Sequence, residues 1–191
     1  MARGSQTGLG VVILTGGGSS RMGADKAALL WNGRRAVDRL ADLARELDAV
    51  AAVTAGAGDY GLPTAAEDPP GGGPAAGLLT GAKRLRGLGC ERVLVVATDA
   101  PTITVEDLRP LLETPAPGAA YAGLNLPLVA EIAALPPGDG QGWAMGRLID
   151  AAALARIACP AGSAARLRGA NTPEEREALL ADDCAGKRGA E

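Results

Sequence analysis

The residues of this sequence that could do chemistry are suited to phosphate. In Leu14-Thr15-Gly16-Gly17-Gly18-Ser19-Ser20-Arg21-Met22-Gly23-Ala24-Asp25-Lys26, glycines and small hydroxyl residues run directly into two cations. Glycine lacks a Cβ, so such a loop can turn its main-chain N–H groups onto a ligand at close range. The N–H groups of Gly16, Gly17, Gly18 and Ser19, with the charges of Arg21 and Lys26, answer to a polyphosphate. Asp99, in Thr98-Asp99-Ala100-Pro101, adds a carboxylate. A carboxylate facing phosphates is repelled unless a cation lies between them, and Mg2+, which takes carboxylate and phosphate oxygens, fits that place. The plainer readings are a glycine loop with solvated charges, and an aspartate capping the turn into the next helix.

The chain has no histidine among its 191 residues. That removes a Ser-His-Asp triad, a histidine general base and most zinc sites. Chemistry is left to carboxylates, cations, main chain and a metal held by oxygen. A net charge of −3 and an aromatic content of 2% argue against a nucleic-acid surface, which needs a basic stripe or stacking platforms. Cys90, Cys159 and Cys184 form no C-x-x-C pair, and an odd count makes no disulfide framework. No apolar run approaches the ~18 residues of a membrane span, and no signal-peptide core is present. Neither nucleic acid nor membrane is an expected partner, and the cytoplasm is the expected compartment.

The elements that must position these residues follow from hydrophobic pattern. Residues 11–14 and 93–97 are short apolar runs without polar alternation, as in strands buried on both faces. The glycine loop follows the first run and Asp99 the second. In an open α/β sheet, ligands sit beyond the carboxyl ends of the strands, so the two can meet. Asn32-Gly33 marks a turn. Helical spacing predicts an amphipathic helix over 36–47, followed by a strand over 50–54. Pro74 suits the first turn of a helix over 74–88. Thr104 with Asp107 signals the start of a helix over 105–112. Strands are expected at 119–122 and 127–132, and a short helix at 145–154. Thr172 with Glu175 opens a last helix reaching about Leu180. The prediction is one three-layer α/β/α domain over 9–181, doubly wound, Rossmann-like, with a mostly parallel sheet and flexible termini at 1–8 and 182–191. Two further residues invite a role. Asp68, in the Glu67–Gly77 loop, either faces the ligand or shapes a turn before Pro69. Asn171 either faces the site or shapes the turn before the last helix.

The loop is neither of two common phosphate motifs. No lysine follows Gly23 as Walker A requires, and Arg21 stands where a dinucleotide motif needs its third glycine. It does resemble the L-x-G-G-x-x-x-R-M-G-x-D-K signature of nucleotidyltransferases, most of all the molybdenum cofactor guanylyltransferase family. Gly73-Pro74-Ala75-Ala76-Gly77 is similar to that family's G-P-x-A-G, and Thr98-Asp99-Ala100-Pro101 to its [CT]-D-x-P. The family's N-x-N-T-P-E is matched at Asn171 but not at its first position, where Gly169 stands. The resemblance implies a nucleotide-diphospho-sugar-transferase-like fold. It implies a nucleotide site at Leu14, Thr15, Gly16, Gly17, Gly18, Ser19, Arg21, Lys26, Asp68 and Asp99, with Asp99 as Mg2+ ligand and Asn171 as acceptor or second metal contact.

The activity it implies is transfer of GMP from GTP to a molybdopterin-type acceptor with release of pyrophosphate. Other proteins of molybdenum cofactor synthesis, or enzymes that accept the cofactor, are the implied protein partners. Arg21, Lys26 and Asp99 would be the catalytic residues, acting by charge neutralisation and in-line alignment, because the attacking phosphate is already an anion. The rivals are transfer to another acceptor or from CTP, and a non-catalytic nucleotide-binding adaptor on the same fold. Guanine presents an N1–H and N2–H2 donor edge that the Asp68 loop or the main chain after Leu14 can accept. GTP is therefore expected to bind at least ~1.4 kcal/mol, or about tenfold, better than ATP. Titration calorimetry checks this, and equal affinities for GTP, ATP and CTP would contradict it.

Overall fold

The computed structural model describes residues 8–16, 25–65 and 71–188. Gly17, Gly18, Ser19, Arg21 and Asp68 lie outside them. Along the chain come β1 (Leu9–Leu14), the hairpin β2 (Leu30–Trp31) and β3 (Arg34–Arg35), α1 (Ala36–Glu46), β4 (Ala51–Ala55), β5 (Thr64–Ala65), α2 (Pro74–Gly87) and β6 (Arg92–Ala97). Then follow α3 (Val105–Leu112), β7 (Gly118–Tyr121), β8 (Leu128–Glu131), α4 (Met145–Ala151), β9 (Ala155–Ile157), α5 (Ala164–Arg168) and α6 (Pro173–Arg188).

Every residue of β1 is buried because both faces of the sheet are covered. Val12 and Leu14 join Leu78, Leu85 and Leu148 in the core under α2 and α4. Val11 and Ile13 join Leu40, Leu43, Leu108 and Leu111 in the core under α1 and α3. The strand order is β5-β4-β1-β6-β8-β7-β9, and only β8 runs antiparallel to its neighbours. The chain winds outward from β1 through β4 and β5, then returns to place β6 on the other side of β1. That reversal is the topological switch point, where such sheets leave a crevice beyond the strand ends. The α/β/α, Rossmann-like, mostly parallel architecture expected from the sequence is thus the one present.

Local chemistry explains several boundaries. Asn32 (φ 49°) and Gly33 (φ 80°) make the two-residue turn of the β2–β3 hairpin, which needs positive φ at both positions. Thr104 and Asp107 form a reciprocal capping box at the start of α3. Five elements had no sequence expectation: β2 and β3, where only the turn between them was marked, and β5, β9 and α5. The last helix is also longer than expected. It continues through Arg188 in place of the loose tail expected from Asp182, and Asp183 in that stretch forms an ion pair with Arg39 of α1 at 3.0 Å.

One buried ion pair anchors α5 to this framework. Asp107 is 2% exposed, and its carboxylate takes a two-pronged hydrogen bond from Arg166, Nε to Oδ2 at 2.8 Å and Nη2 to Oδ1 at 2.6 Å. Tyr121 donates its hydroxyl to the Asp107 carbonyl. Burial alone would raise the Asp107 pKa, but Arg166, the Ser163 hydroxyl and the Thr104 N–H together hold it below the usual carboxylate range. Removing one partner of a buried pair leaves a charge without compensation. Arg166→Ala should therefore cost about 3 kcal/mol in urea unfolding at neutral pH. Because the folded pKa of Asp107 is depressed, this stabilisation is present above the unfolded pKa and is lost as pH falls through the folded one. The gap between native and variant should accordingly shrink on acidification, and a pH-independent gap would count against this assignment.

Candidate functional site

Three parallel strands end together at the switch point. Leu14 of β1 is level with Ala55 of β4 and Ala97 of β6. The Leu14 carbonyl accepts from the Thr98 N–H at 3.2 Å. Thr15 turns away from the crevice: its N–H donates to the Ala55 carbonyl at 2.9 Å, and its hydroxyl lies 3.3 Å and 3.4 Å from the Ala55 and Ala57 carbonyls. What Thr15 can offer a ligand is main chain. Gly56 (φ 126°) allows this closure, because a Cβ there would lie 2.3 Å from the Gly16 N. Gly16 thus opens the glycine loop from a fixed base against β4. Gly17, Gly18, Ser19 and Arg21 of that loop, and Asp68 of the second loop, lie outside the described residues.

Past the loop the chain is pinned again. Asp25 Oδ1 accepts from the Ala27 N–H at 3.0 Å, and Oδ2 accepts from the Tyr60 hydroxyl at 2.7 Å. Burial, with the Asp25 charge behind it, pushes the Tyr60 phenol up to about 12, so the hydroxyl stays a donor at any working pH. Asp25 therefore holds the turn that presents Lys26, a role the sequence analysis did not assign. Lys26 Nζ donates to Asn171 Oδ1 at 3.0 Å.

Asp99 lies just beyond β6 and is half-buried. Burial pushes its carboxyl above the usual range, while Lys26 and a main-chain hydrogen bond pull the other way. Lys26 is the one side-chain cation opposing that rise among the described residues, and none of them forms an ion pair with the carboxylate. Its carbonyl accepts from the Ala170 N–H at 2.8 Å. So Lys26, Asp99 and Asn171, separated in the sequence, converge at one place. Beside Asp99 opens a cleft of about 220 Å³ toward β7 and β8, lined by Asn125, Leu126, Pro127, Leu167 and Arg168 among others. Arg168 is exposed there without an ion pair among the described residues. Neither Asn125 nor Arg168 carries a sequence signal, because each stands in an unpatterned stretch.

Among the described residues no cluster of three or more acidic, cysteine or histidine side chains could cage a metal. A single carboxylate without an ion pair among the described residues, Asp99, has the chemistry to hold Mg2+, which binds through one or two carboxylates and leaves its other positions to water and substrate oxygens.

The fold is that of a Rossmann-like α/β protein, and Lys26, Asp99 and Asn171 gather at its switch point. The chain belongs to the MobA-like NTP transferase domain family, whose model matches residues 11–126. It is similar to the molybdenum cofactor guanylyltransferase of Sinorhizobium fredii (strain NBRC 101917 / NGR234), with 40% identity over 98 residues, covering 47% of this chain and 45% of the relative. It is also similar to the molybdenum cofactor guanylyltransferase of Rhodobacter capsulatus, with 36% identity over 116 residues, 58% of this chain and 60% of the relative. The chain thus spans about half the length of the curated relatives it matches. Among solved structures, a nucleotidyl transferase from Methanothermobacter thermautotroptrophicus shares the fold with a TM-score of 0.66 at 16% identity, over 93% of this chain and 98% of that one. No described helix is long and apolar enough to cross a membrane.

Gly169, which replaces the asparagine of the family pattern, has a physical reason to be glycine. Its φ of 72° and ψ of −170° fall in a region open essentially only to glycine. A Cβ would lie 2.3 Å from the Asp99 carbonyl oxygen. Putting the family residue back should therefore harm this chain. Gly169→Asn is expected to cost about 2 kcal/mol or more of stability, since strain of this kind alone costs about 1–3 kcal/mol. The midpoint of urea unfolding measures it, and a variant as stable as the native chain would show that the two backbones part easily.

Proposed function

We propose that this chain transfers GMP from GTP to a molybdopterin-type acceptor and releases pyrophosphate. The observation that carries the reading is the convergence, where β1 and β6 end, of Lys26 and Asp99, a carboxylate without an ion pair among the described residues. The two guanylyltransferase relatives support the choice of nucleotide and acceptor.

The two reacting partners are both anions, so the residues must neutralise and align more than move protons. Lys26 would place its ammonium on the phosphates of the nucleotide, with Arg21 and the N–H groups of the Gly16–Ser19 loop beside it. Charge that builds on the departing pyrophosphate is best met by such fixed cations. Asp99 would hold Mg2+, which would supply positive charge to the phosphates. The cleft past Asp99, with Arg168 at its wall, would give an acceptor phosphate room beside Asp99. Gly169 no longer speaks for a non-catalytic adaptor, because the close contact with Asp99 accounts for the missing asparagine.

Asp99→Asn separates this reading from a helix-capping role, since asparagine caps about as well as aspartate. Pyrophosphate release should fall by about a hundredfold, roughly 3 kcal/mol of barrier, and excess Mg2+ should recover part of the loss by mass action. The same variant should melt higher at neutral pH. A folded pKa raised by burial means the charged form destabilises the fold above that pKa, and the penalty disappears below the unfolded pKa. A folded variant with near-normal, magnesium-dependent turnover would sink the metal assignment.

A further inference from the structure

The contact between Lys26 and Asn171 is supported by more structure than a surface hydrogen bond requires. The Asn171 main chain is fixed on both sides. Ala170 N–H donates to the Asp99 carbonyl at 2.8 Å, and Asn171 N–H donates to Glu175 Oε2 at 2.6 Å. Glu175 in turn caps α6, taking the Thr172 N–H at 3.1 Å while its own N–H donates to the Thr172 hydroxyl at 3.2 Å. The helix behind this cap is tied to the segment that carries Lys26. Leu179 is buried with Trp31, Ala36 and Ala170, and Arg176 lies 5.4 Å from the centre of the Trp31 ring. At the far end, Asp183 takes both prongs of Arg39, at 3.1 Å and 3.0 Å, and the side-chain amide of Asn32 at 2.6 Å. The third nitrogen of Arg39 donates to the Pro101 carbonyl at 2.9 Å, in the turn that follows Asp99. The α5–α6 junction is therefore fixed relative to both Lys26 and Asp99.

We propose that Asn171 is a positioning residue for Lys26, and that the junction and α6 serve to hold the Lys26 ammonium beside Asp99 without neutralising it. A lysine stem carries as much rotamer freedom as any side chain, so an unrestrained Lys26 would have to be ordered when the phosphates arrive. An amide oxygen orders it beforehand. Because the amide is uncharged, the whole positive charge remains for the ligand. The ammonium has three donors, and Asn171 uses one, leaving two for phosphate oxygens. A carboxylate at position 171 would order the stem equally well but would spend the charge in an ion pair. This explains why the chain has Asn and not Asp there. The consequence for nucleotide binding rests on the proposed function, whereas the restraint on Lys26 does not.

Two measurements on the full chain decide the matter, and exposed position 171 allows substitution without loss of fold, which melting temperature verifies. The first is a double-mutant cycle read by titration of Mg2+–GTP. Asn171→Ala should weaken binding about tenfold in the native background and less than about twofold in Lys26→Ala, because nothing is left to position. Asn171→Asp should bind more weakly still. An equal loss in both backgrounds would mean that Asn171 touches the ligand directly, and an Asp variant that binds as tightly as native would remove the charge argument; either result overturns the proposal. The second measurement needs no nucleotide. Acetylation by a simple active ester is followed at Lys26 by mass spectrometry, with exposed Lys83 as the internal standard. Asn171→Ala should speed Lys26 several-fold and leave Lys83 unchanged. An unchanged Lys26 rate overturns the restraint. A native chain that binds no GTP would sink the proposed function, and the acetylation rates would still decide whether Asn171 holds Lys26.

Discussion

The end of the sheet where Lys26, Asp99 and Asn171 gather depends on one close approach between two stretches of main chain. Gly169 and Ala170 lie directly against the backbone of Asp99, nearer than any side chain at 169 would permit. The approach fixes where the chain leaves α5, and so where Asn171 stands and where α6 begins. From it follow the hydrogen bond to Lys26, the packing of α6 over Trp31, and the ion pair that closes on α1. A strand end cannot by itself position groups that come from opposite ends of the sequence. A second backbone pressed onto that end can, because main-chain hydrogen bonds have none of the rotamer freedom of side chains.

Charge is handled differently at the site and away from it. Asp107 and Asp183 are paired with arginines through two hydrogen bonds each, and Asp38 pairs likewise with Arg35. These aspartates act within the fold. Asp99 is driven into a partly dry position where, among the described residues, a neighbouring lysine and a main-chain hydrogen bond offset burial without an ion pair, and Lys26 itself is met by a neutral amide. Incomplete neutralisation weakens a fold, and such weakness gathers where a ligand will complete the pairing. The contrast lies within one chain, so it does not depend on what the ligand is.

Much of the framework is legible in the sequence for physical reasons. The runs around Val12 and Val95 have no polar alternation, which is what burial on both faces demands. The capping pairs Thr104–Asp107 and Thr172–Glu175 are local chemistry, visible within four residues. β5, β9 and α5 are too short to show a period, and α5 stands through Leu167 in the core and Arg166 on Asp107 rather than through its own pattern. The meeting of Lys26 with Asp99 could be foreseen from the switch-point rule. The hold of Asn171 on Lys26, the pinning role of Asp25 and the pairing of Arg39 with Asp183 could not. Each joins groups that look like ordinary surface residues until the fold brings them together. Gly169 misleads outright: beside a family pattern it looks like a lost contact, and in the structure it is the residue that permits one.

The hairpin at Asn32–Gly33 and the helix that covers it give the molecule an order of completion. During synthesis the strands, the glycine loop, Lys26 and Asp99 all emerge before Asn171 and Asp183. A nascent chain can therefore build its sheet and both cores while Lys26 is still unheld and Trp31 uncovered. Only when α6 closes over the hairpin do the two halves of the site acquire a common frame. The shared frame thus comes last, through a segment that contributes little to the sheet, and a partly made chain carries Lys26 and Asp99 without the contacts that hold them together.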